Sequence, residues 1–189
     1  MKFGPAVFVW VTLGSIFVPA QQRDTELAAQ EKLVELEQAA PAEGIQRFYA
    51  LHRLAETAFD AGQLDKAEKH AKELLALAPE YPKDWNYGNA IYYGNMVMGR
   101  VALRRDKDIA RAKRSLLAAG QTPGSPQLDS FGPNMSLAKD LLSVGERDTV
   151  LEFFALCRNF WRSHPEKLDE WSAIVKRGGM PDFGANLRY

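Results

Sequence analysis

The sequence contains very little cysteine and histidine. Its 189 residues include one cysteine and three histidines. A single cysteine, Cys157, cannot form a disulfide within the chain, and no Cys/His spacing is typical of a zinc or haem site. Cys157 continues the apolar pattern of a helix, which indicates a buried packing residue and not a reactive thiol. We therefore expect no metal and no cofactor, and we expect helix packing to stabilise the fold.

An excess of charge of one sign and the motifs of common enzyme classes are also missing. Lys plus Arg equals Asp plus Glu at 24 each, so no basic footprint indicates nucleic-acid binding. There is no Gly-x-Ser-x-Gly elbow, and no glycine-rich phosphate loop stands between a strand and a helix. His70 and Glu73 lie three apart on a predicted helix, a spacing that is common on solvated faces. These absences predict a protein that is not an enzyme.

A long apolar run occurs only near the N-terminus. Lys2 precedes the apolar segment 6–18, and small residues follow up to Ala20. The run is shorter than the roughly 20 residues that cross a bilayer, and this pattern is typical of a signal peptide. We predict a signal peptide at 1–20 and a single domain at 21–189. The protein would be periplasmic or secreted, without a stable membrane span after cleavage; an uncleaved anchor or a buried N-terminal helix is the alternative.

What remains has the periodicity of amphipathic helices. Six apolar residues of the segment 43–61 recur at spacings of three and four: Phe48, Leu51, Leu54, Ala55, Ala58 and Phe59. That spacing places them on one helical face. Gly62 permits a tight turn, and Asp65 is expected to cap a second helix that ends at Pro79.

The helical hairpin recurs along the chain. Gly145 and Asp148 stand in a later segment as Gly62 and Asp65 do in the first. Hairpins are predicted at about 43–79, 85–119 and 133–164, followed by a capping helix at 165–177. An additional N-terminal helix, ending near Ala39, is expected to pack on the first hairpin because it would be marginal alone.

The first hairpin resembles a tetratricopeptide repeat. The matching residues are Leu51, Leu54, Ala55, Ala58, Gly62, Asp65, Ala67, Ala71 and Pro79. Alanines stand at Ala58 and Ala71, where the family commonly has aromatic residues. The resemblance implies an all-α, tetratricopeptide-like right-handed solenoid of about three hairpins with a C-terminal capping helix. It also implies a non-enzymatic module that binds a protein or peptide partner.

Tetratricopeptide folds present the first helix of each hairpin along a concave groove. By that resemblance the residues lining the groove would be Tyr49, His52, Glu56, Tyr93, Met96, Arg100, Arg104, Met135 and Lys139. Chaperone-binding relatives hold an acidic C-terminus with a Lys, Asn and Arg clamp that is missing here. The resemblance therefore does not imply a C-terminal acidic ligand.

Several alternatives stay open. The stretch 86–95 contains two Gly-Asn pairs and three tyrosines, which either form a binding face or allow close helix packing with tyrosines in the core. A pocket between Tyr93, Arg100 and the 120–133 loop would suit a small-ligand carrier or an enzyme. That loop is expected to be ordered around Leu128 and Phe131. The C-terminal tail would suit a structural subunit of an envelope complex.

Overall fold

The structure of the protein is a computed structural model that describes residues 20–187. Residues 1–19 of the predicted signal peptide and the last two residues of the tail lie outside the described residues. Within 20–187 the chain forms nine α-helices and no strands, which confirms the predicted all-α class. The helices are α1 (Ala20–Ala39), α2 (Gly44–Asp60), α3 (Leu64–Leu77), α4 (Tyr87–Val101), α5 (Ile109–Gly120), α6 (Pro126–Phe131), α7 (Ser136–Ser143), α8 (Arg147–Cys157) and α9 (Pro165–Lys176). In this part of the chain no helix is both long enough and apolar enough to cross a membrane.

α2 and α3 form the first hairpin. The six apolar residues predicted to face inward from α2 are all buried, and Phe48 and Leu51 are completely so. Gly62 has a φ of 70° at the turn, a conformation that glycine adopts without a steric penalty. α1 packs on α2 through Leu33, which is fully buried.

The turns of the first and third hairpins share one hydrogen-bond pattern. The equivalent bonds are Gly62 N to Phe59 O (3.0 Å), Gln63 N to Ala58 O (2.9 Å), Gly145 N to Leu142 O (3.0 Å) and Glu146 N to Leu141 O (3.0 Å). The prediction that Asp65 caps the following helix is wrong, because that helix begins at Leu64 and Asp65 lies inside it. Asp148 likewise lies inside α8, which begins at Arg147. Asp65 instead accepts a hydrogen bond from Arg105 Nη1 at 2.8 Å, so its carboxylate serves a contact between helices.

α4 packs closely against its neighbours. A side chain at Gly88 would overlap the backbone of Gly124. Tyr92 is fully buried, and its hydroxyl donates to the backbone oxygen of Asn134 at 2.7 Å. Of the two interpretations of the stretch 86–95, the structure therefore supports close packing at these positions.

A π-helical turn, Ala102–Asp106, follows α4 and is named here the π turn. Lys107 comes next with a φ of 55°, and among residues 20–187 it is the one non-glycine residue with a positive φ. A left-handed non-glycine residue costs about 1–2 kcal/mol, so the surrounding contacts must stabilise it. Arg105 supplies such contacts: it donates to Asp65 at 2.8 Å and to Glu68 at 2.7 Å, which ties the π turn to α3.

The predicted 120–133 loop contains the short helix α6. The Ser125 hydroxyl caps this helix by accepting a hydrogen bond from Leu128 N at 3.0 Å. Leu128 is buried, but Phe131 is 59% exposed, so the expected ordering around both residues is correct only for Leu128. A helix this short shows no periodicity in the sequence.

α7, α8 and α9 complete the C-terminal part of the core. Trp171 of α9 packs on Trp161 and Phe183, with ring centroids 5.6 and 5.0 Å apart. The tail then returns to the start of α7, where Met135 N donates to Asn186 O at 2.7 Å.

The helices pack mainly on those nearest to them in the chain. α2 contacts α1, α3 and α4, while α4 contacts α5 and α7, and α8 contacts α5, α7 and α9. The buried residues form one core around the first hairpin and a second around the C-terminal helices, and α4 contributes to both. α4 thus lies between α2 and α7, with surface on all three helices exposed along one side.

Candidate functional site

The candidate site lies where α2, α4 and α7 meet. The His52 ring stacks on Tyr93 with centroids 3.8 Å apart, and further along both helices Arg100 lies 4.1 Å from the centroid of the Phe59 ring. These contacts advance in chain order on both helices, so α2 and α4 run in the same direction. Arg100 Nε also lies 3.4 Å from Asp140 Oδ2, which joins α4 to α7.

A first cavity opens near the hairpin turns, with a volume of about 480 Å³. It is named the turn-end cavity, and its lining residues are Phe59, Arg100, Leu103, Arg104, Lys107, Ile109, Asp140, Ser143 and Val144. Ile109 and Val144 are 38% and 50% exposed. The cavity is therefore lined by accessible apolar side chains together with charged ones.

A second cavity of about 310 Å³ adjoins the first, and it is named the middle cavity. Its lining residues are Glu56, Phe59, Asp60, Met96, Val97, Arg100, Asn134, Ser136 and Leu187. Phe59 and Arg100 belong to both linings, so the two cavities form one continuous surface, the α2–α4–α7 groove. It follows the last part of α4 from Met96 and continues over the π turn to Lys107.

The residues predicted to line a groove differ in how far they reach this surface. Those that line the two cavities are Glu56, Met96, Arg100 and Arg104. Tyr93 and Met135 lie beneath the surface, at 7% and 0% exposure. Lys139 is exposed on α7.

Two other predicted residues of α2 are partly exposed and engaged with neighbours. The Tyr49 hydroxyl donates to Asp84 Oδ2 at 2.6 Å, and this hydrogen bond raises the pKa of the phenol. His52 Nε2 lies 2.9 Å from Glu56 Oε2. Both contacts hold side chains in place along the start and middle of α2.

The two cavities of the groove differ in the charges around them. Around the turn-end cavity stand three cations, Arg100, Arg104 and Lys107, and one carboxylate, Asp140. Around the middle cavity two carboxylates, Glu56 and Asp60, accompany Arg100. Positive side chains therefore predominate around the turn-end cavity, and negative side chains predominate around the middle cavity, at the C-terminal part of α2.

Asp60 is the groove residue with the most perturbed carboxylate environment. The protein surrounding its carboxyl group raises its pKa, while Arg100 acts in the opposite direction and Glu56 adds to the increase. Burial of the group disfavours its charged form, although the Asp60 residue as a whole is exposed at the surface.

Several groove residues were not predicted from the sequence. Leu103, Lys107 and Val144 line the turn-end cavity, yet they belong to the π turn and to a hairpin turn, where helical periodicity gives no information. The basic residues around Arg104 are the sequence feature that could have indicated this part of the groove, and only Arg104 among them was predicted to line it.

Three titratable residues outside the groove are buried or hydrogen-bonded to other side chains. His70 is only 6% exposed, so the assignment of the His70–Glu73 pair to a solvated face is wrong for His70. Glu73 accepts two hydrogen bonds from Arg47, at 2.7 and 2.8 Å. Cys157 is fully buried, and burial raises the pKa of its thiol. Among residues 20–187 no three His, Cys, Asp or Glu side chains are grouped so that they could hold a metal ion.

The groove combines apolar side chains with cations and carboxylates. Comparison of the chain with protein-family models, with curated proteins and with solved structures finds no match.

Proposed function

We propose that the protein is a non-enzymatic, exported helical-repeat module of the tetratricopeptide type, and that it binds a segment of a partner protein in the α2–α4–α7 groove. The observation that carries the proposal is the groove itself. It runs along helices from three successive hairpins, and its two cavities share Phe59 and Arg100. Functional grooves commonly combine such apolar side chains with a few placed polar groups.

The repeat part of the proposal draws on the hairpins. The first and third turns have equivalent hydrogen bonds, and Gly62 and Gly145 both have positive φ, at 70° and 90°. The second hairpin differs, since the π turn and Lys107 replace the glycine turn. Repeats of one supersecondary unit bury a continuous core by stacking, which agrees with helices that pack mainly on their neighbours in the chain.

The export part of the proposal draws on the sequence alone. A positive residue, an apolar segment and small residues at Val18–Ala20 form the pattern that a signal peptidase reads. The partner would then be met in the periplasm or outside the cell. Purifying the protein from each compartment and reading its N-terminus tests this: a start at Gln21 supports export, and an intact N-terminus in the cytosol contradicts it.

A small-ligand pocket between Tyr93, Arg100 and the 120–133 loop has less support. Tyr93 is 7% exposed, and the loop contributes to neither cavity lining except through its neighbour Asn134. A drug-sized ligand is usually enclosed over most of its surface, whereas the turn-end cavity is open to solvent. An extended segment of another chain suits an open groove better.

Site-specific photo-crosslinking in the producing cells tests the binding proposal. A benzophenone amino acid is placed at Val144 in the groove and, as the matched control, at Met180; these residues are 50% and 45% exposed. We expect one protein partner to be captured from position 144 and not from position 180. Equal capture from both positions, or no protein adduct from position 144, would contradict a groove-bound partner.

A further inference from the structure

We infer that the partner segment carries a carboxylate that binds Arg104 and Lys107, next to a bulky apolar side chain that fills the turn-end cavity. This inference rests on the proposed function and specifies the chemistry of its ligand. It draws on the partners of the neighbouring cations, on the conformation of the π turn and on the distribution of charge along the groove.

Four basic residues near the π turn differ in their partners. Arg105 contacts Asp65, Glu68 and Asp106, and Arg111 contacts Glu68 and Asp106, all within 3.0 Å. Each of these two guanidinium groups forms ion pairs with at least two carboxylates, and these ion pairs join α3 to the π turn and to α5. They have a structural role and are not available to a ligand.

The other two cations differ in their partners. Arg104 Nη1 donates to the backbone oxygen of Phe59 at 3.3 Å, and Lys107 Nζ donates to the backbone oxygen of Arg104 at 3.1 Å. Neither forms an ion pair with any residue that the structure describes. Both line the turn-end cavity. Arg104 also interacts electrostatically with Asp60, at the end of α2. A carboxylate entering this cavity would therefore meet two cations that form no ion pair with a described residue.

Arg104 and Lys107 are positioned by an unusual backbone conformation. The π turn re-aims the end of α4, and Lys107 adopts a left-handed conformation that few non-glycine residues adopt. π-helical segments and strained residues occur frequently at functional sites. Glycine would fit at position 107 without strain, so the presence of lysine there is explained by what its side chain does.

Apolar side chains lie beside Arg104 and Lys107. Leu103, Ile109 and Val144 line the same cavity, and Arg104 lies 5.4 Å from the centroid of the Phe59 ring. Apolar surface beside a cation favours a ligand in which an apolar group adjoins a carboxylate. A Leu, Ile, Met or Phe next to an Asp or Glu has this chemistry.

The middle cavity disfavours the reverse orientation of the segment. Glu56 and Asp60 line the middle cavity, and Asp60 forms no ion pair with a described residue. A ligand carboxylate placed there would be repelled, whereas a basic or amide side chain would be accepted. Repulsion of this kind contributes to specificity, so the acidic residue of the segment belongs at the π-turn end.

The test uses random dodecapeptides displayed on phage and selected on the purified full chain. Selections are run in parallel on the wild type, on Arg104→Glu/Lys107→Glu, and on Lys176→Glu/Arg177→Glu. The last variant is the matched control, because it makes the same charge change at two exposed cations at the end of α9. A fourth target, Arg104→Gln/Lys107→Gln, covers the case in which charge reversal impairs folding.

We expect the wild type and the α9 control to enrich peptides with Asp or Glu beside a bulky apolar residue. The groove reversal should lose these peptides, with affinities at least about tenfold weaker, because attraction becomes repulsion, and it should enrich basic residues instead. Affinity for the wild type should also fall with added salt. The neutral variant should show an intermediate loss.

Three outcomes would overturn the inference, and one of them separates it from the proposed function. Peptides that bind in the groove but show no acidic preference, or keep it on both groove variants, refute the inference alone. No enrichment on any target refutes the proposed function as well. Displacement of the selected peptides by micromolar sodium laurate, with tighter binding of laurate than of any peptide, would assign the cavity to a small amphiphile.

Discussion

Replacing Glu68 by glutamine tests the contacts that hold the π turn in place. The Glu68 carboxylate of α3 lies 2.9 Å from Lys72, 2.6 Å from Arg111 and 2.7 Å from Arg105. Its side chain is only 13% exposed. Lys72 first, then Arg111 and Arg105, lower the pKa of this carboxyl from 4.5 to about 2.

The expected loss of unfolding free energy follows from the shift in the pKa of Glu68. A shift of one unit corresponds to about 1.4 kcal/mol, so lowering the pKa from 4.5 to about 2 sets an upper limit of about 3.4 kcal/mol. Lys72 is 62% exposed and Arg105 is 31% exposed, and solvent screening weakens such pairs. We therefore expect Glu68→Gln to lower the free energy of unfolding by about 1–2 kcal/mol at pH 7.

The sign of the pH dependence is fixed by the direction of the shift. A carboxylate whose folded-state pKa is lowered stabilises the fold fully above its unfolded-state pKa, near 4.5, and this contribution is lost as the pH falls towards about 2. Urea unfolding at pH 7, 5, 4 and 3 should thus show a difference between wild type and Glu68→Gln that shrinks with acidity. The matched control, Glu152→Gln, changes an exposed carboxylate on α8 and should stay within about 0.5 kcal/mol of wild type.

Two results would refute this reasoning. One is a variant as stable as the wild type at pH 7. The other is a deficit that stays the same at pH 3, since that would assign the loss to packing and not to charge. If the cluster also positions the π turn, Glu68→Gln should weaken binding of the selected acidic peptides, although it removes no groove residue.

The remaining predictions concern three other positions. Lys107→Gly should raise the free energy of unfolding by about 0.5–1 kcal/mol, because relief of the left-handed strain exceeds the added backbone entropy. It should also weaken acidic-peptide binding. Thermal melts measure the first effect and peptide titrations the second, and an unchanged peptide affinity would show that Lys107 is not a groove ligand. Burial first, and then Arg47, lowers the pKa of His70, so the unfolded chain takes up a proton more readily and stability should fall as the pH drops below about 6.5. His70→Leu should remove this loss between pH 7 and 5 in urea titrations, and an unchanged slope would assign it elsewhere. Cys157, fully buried with a raised pKa, should react with a thiol reagent only on unfolding, and rapid labelling of the native protein would contradict its burial.

The sequence predicted those parts of the fold that depend on helical periodicity. The inward face of α2 is a clear example, since the residues spaced like Leu51 and Leu54 are the buried ones. Periodicity reveals less where one face of a helix is covered only in part: Leu27 and Val34 of α1 are apolar and yet 57% and 50% exposed. Whether a residue is covered depends on which helices pack there, and spacing does not contain that information.

The candidate site was predictable to a smaller extent. Arg100 and Arg104 lie on a regular helical stripe or directly beyond it, and both line the turn-end cavity. The π turn was not predictable, because it depends on contacts between residues far apart in the chain, such as Arg105 and Glu68, which are separated by 37 positions. The same contacts place Lys107 at the turn-end cavity, so its role follows only from the structure.

The α2–α4–α7 groove is the centre of this account, and blocking it is the most direct test. Because Cys157 is buried, a cysteine introduced at Val144 can be labelled selectively with a polyethylene glycol maleimide, and one at Met180 serves as the control. We expect the label at position 144 to abolish binding of the photo-crosslinked partner and of the selected peptides, and the label at position 180 to leave both unchanged. Undiminished binding with the groove labelled would contradict this expectation.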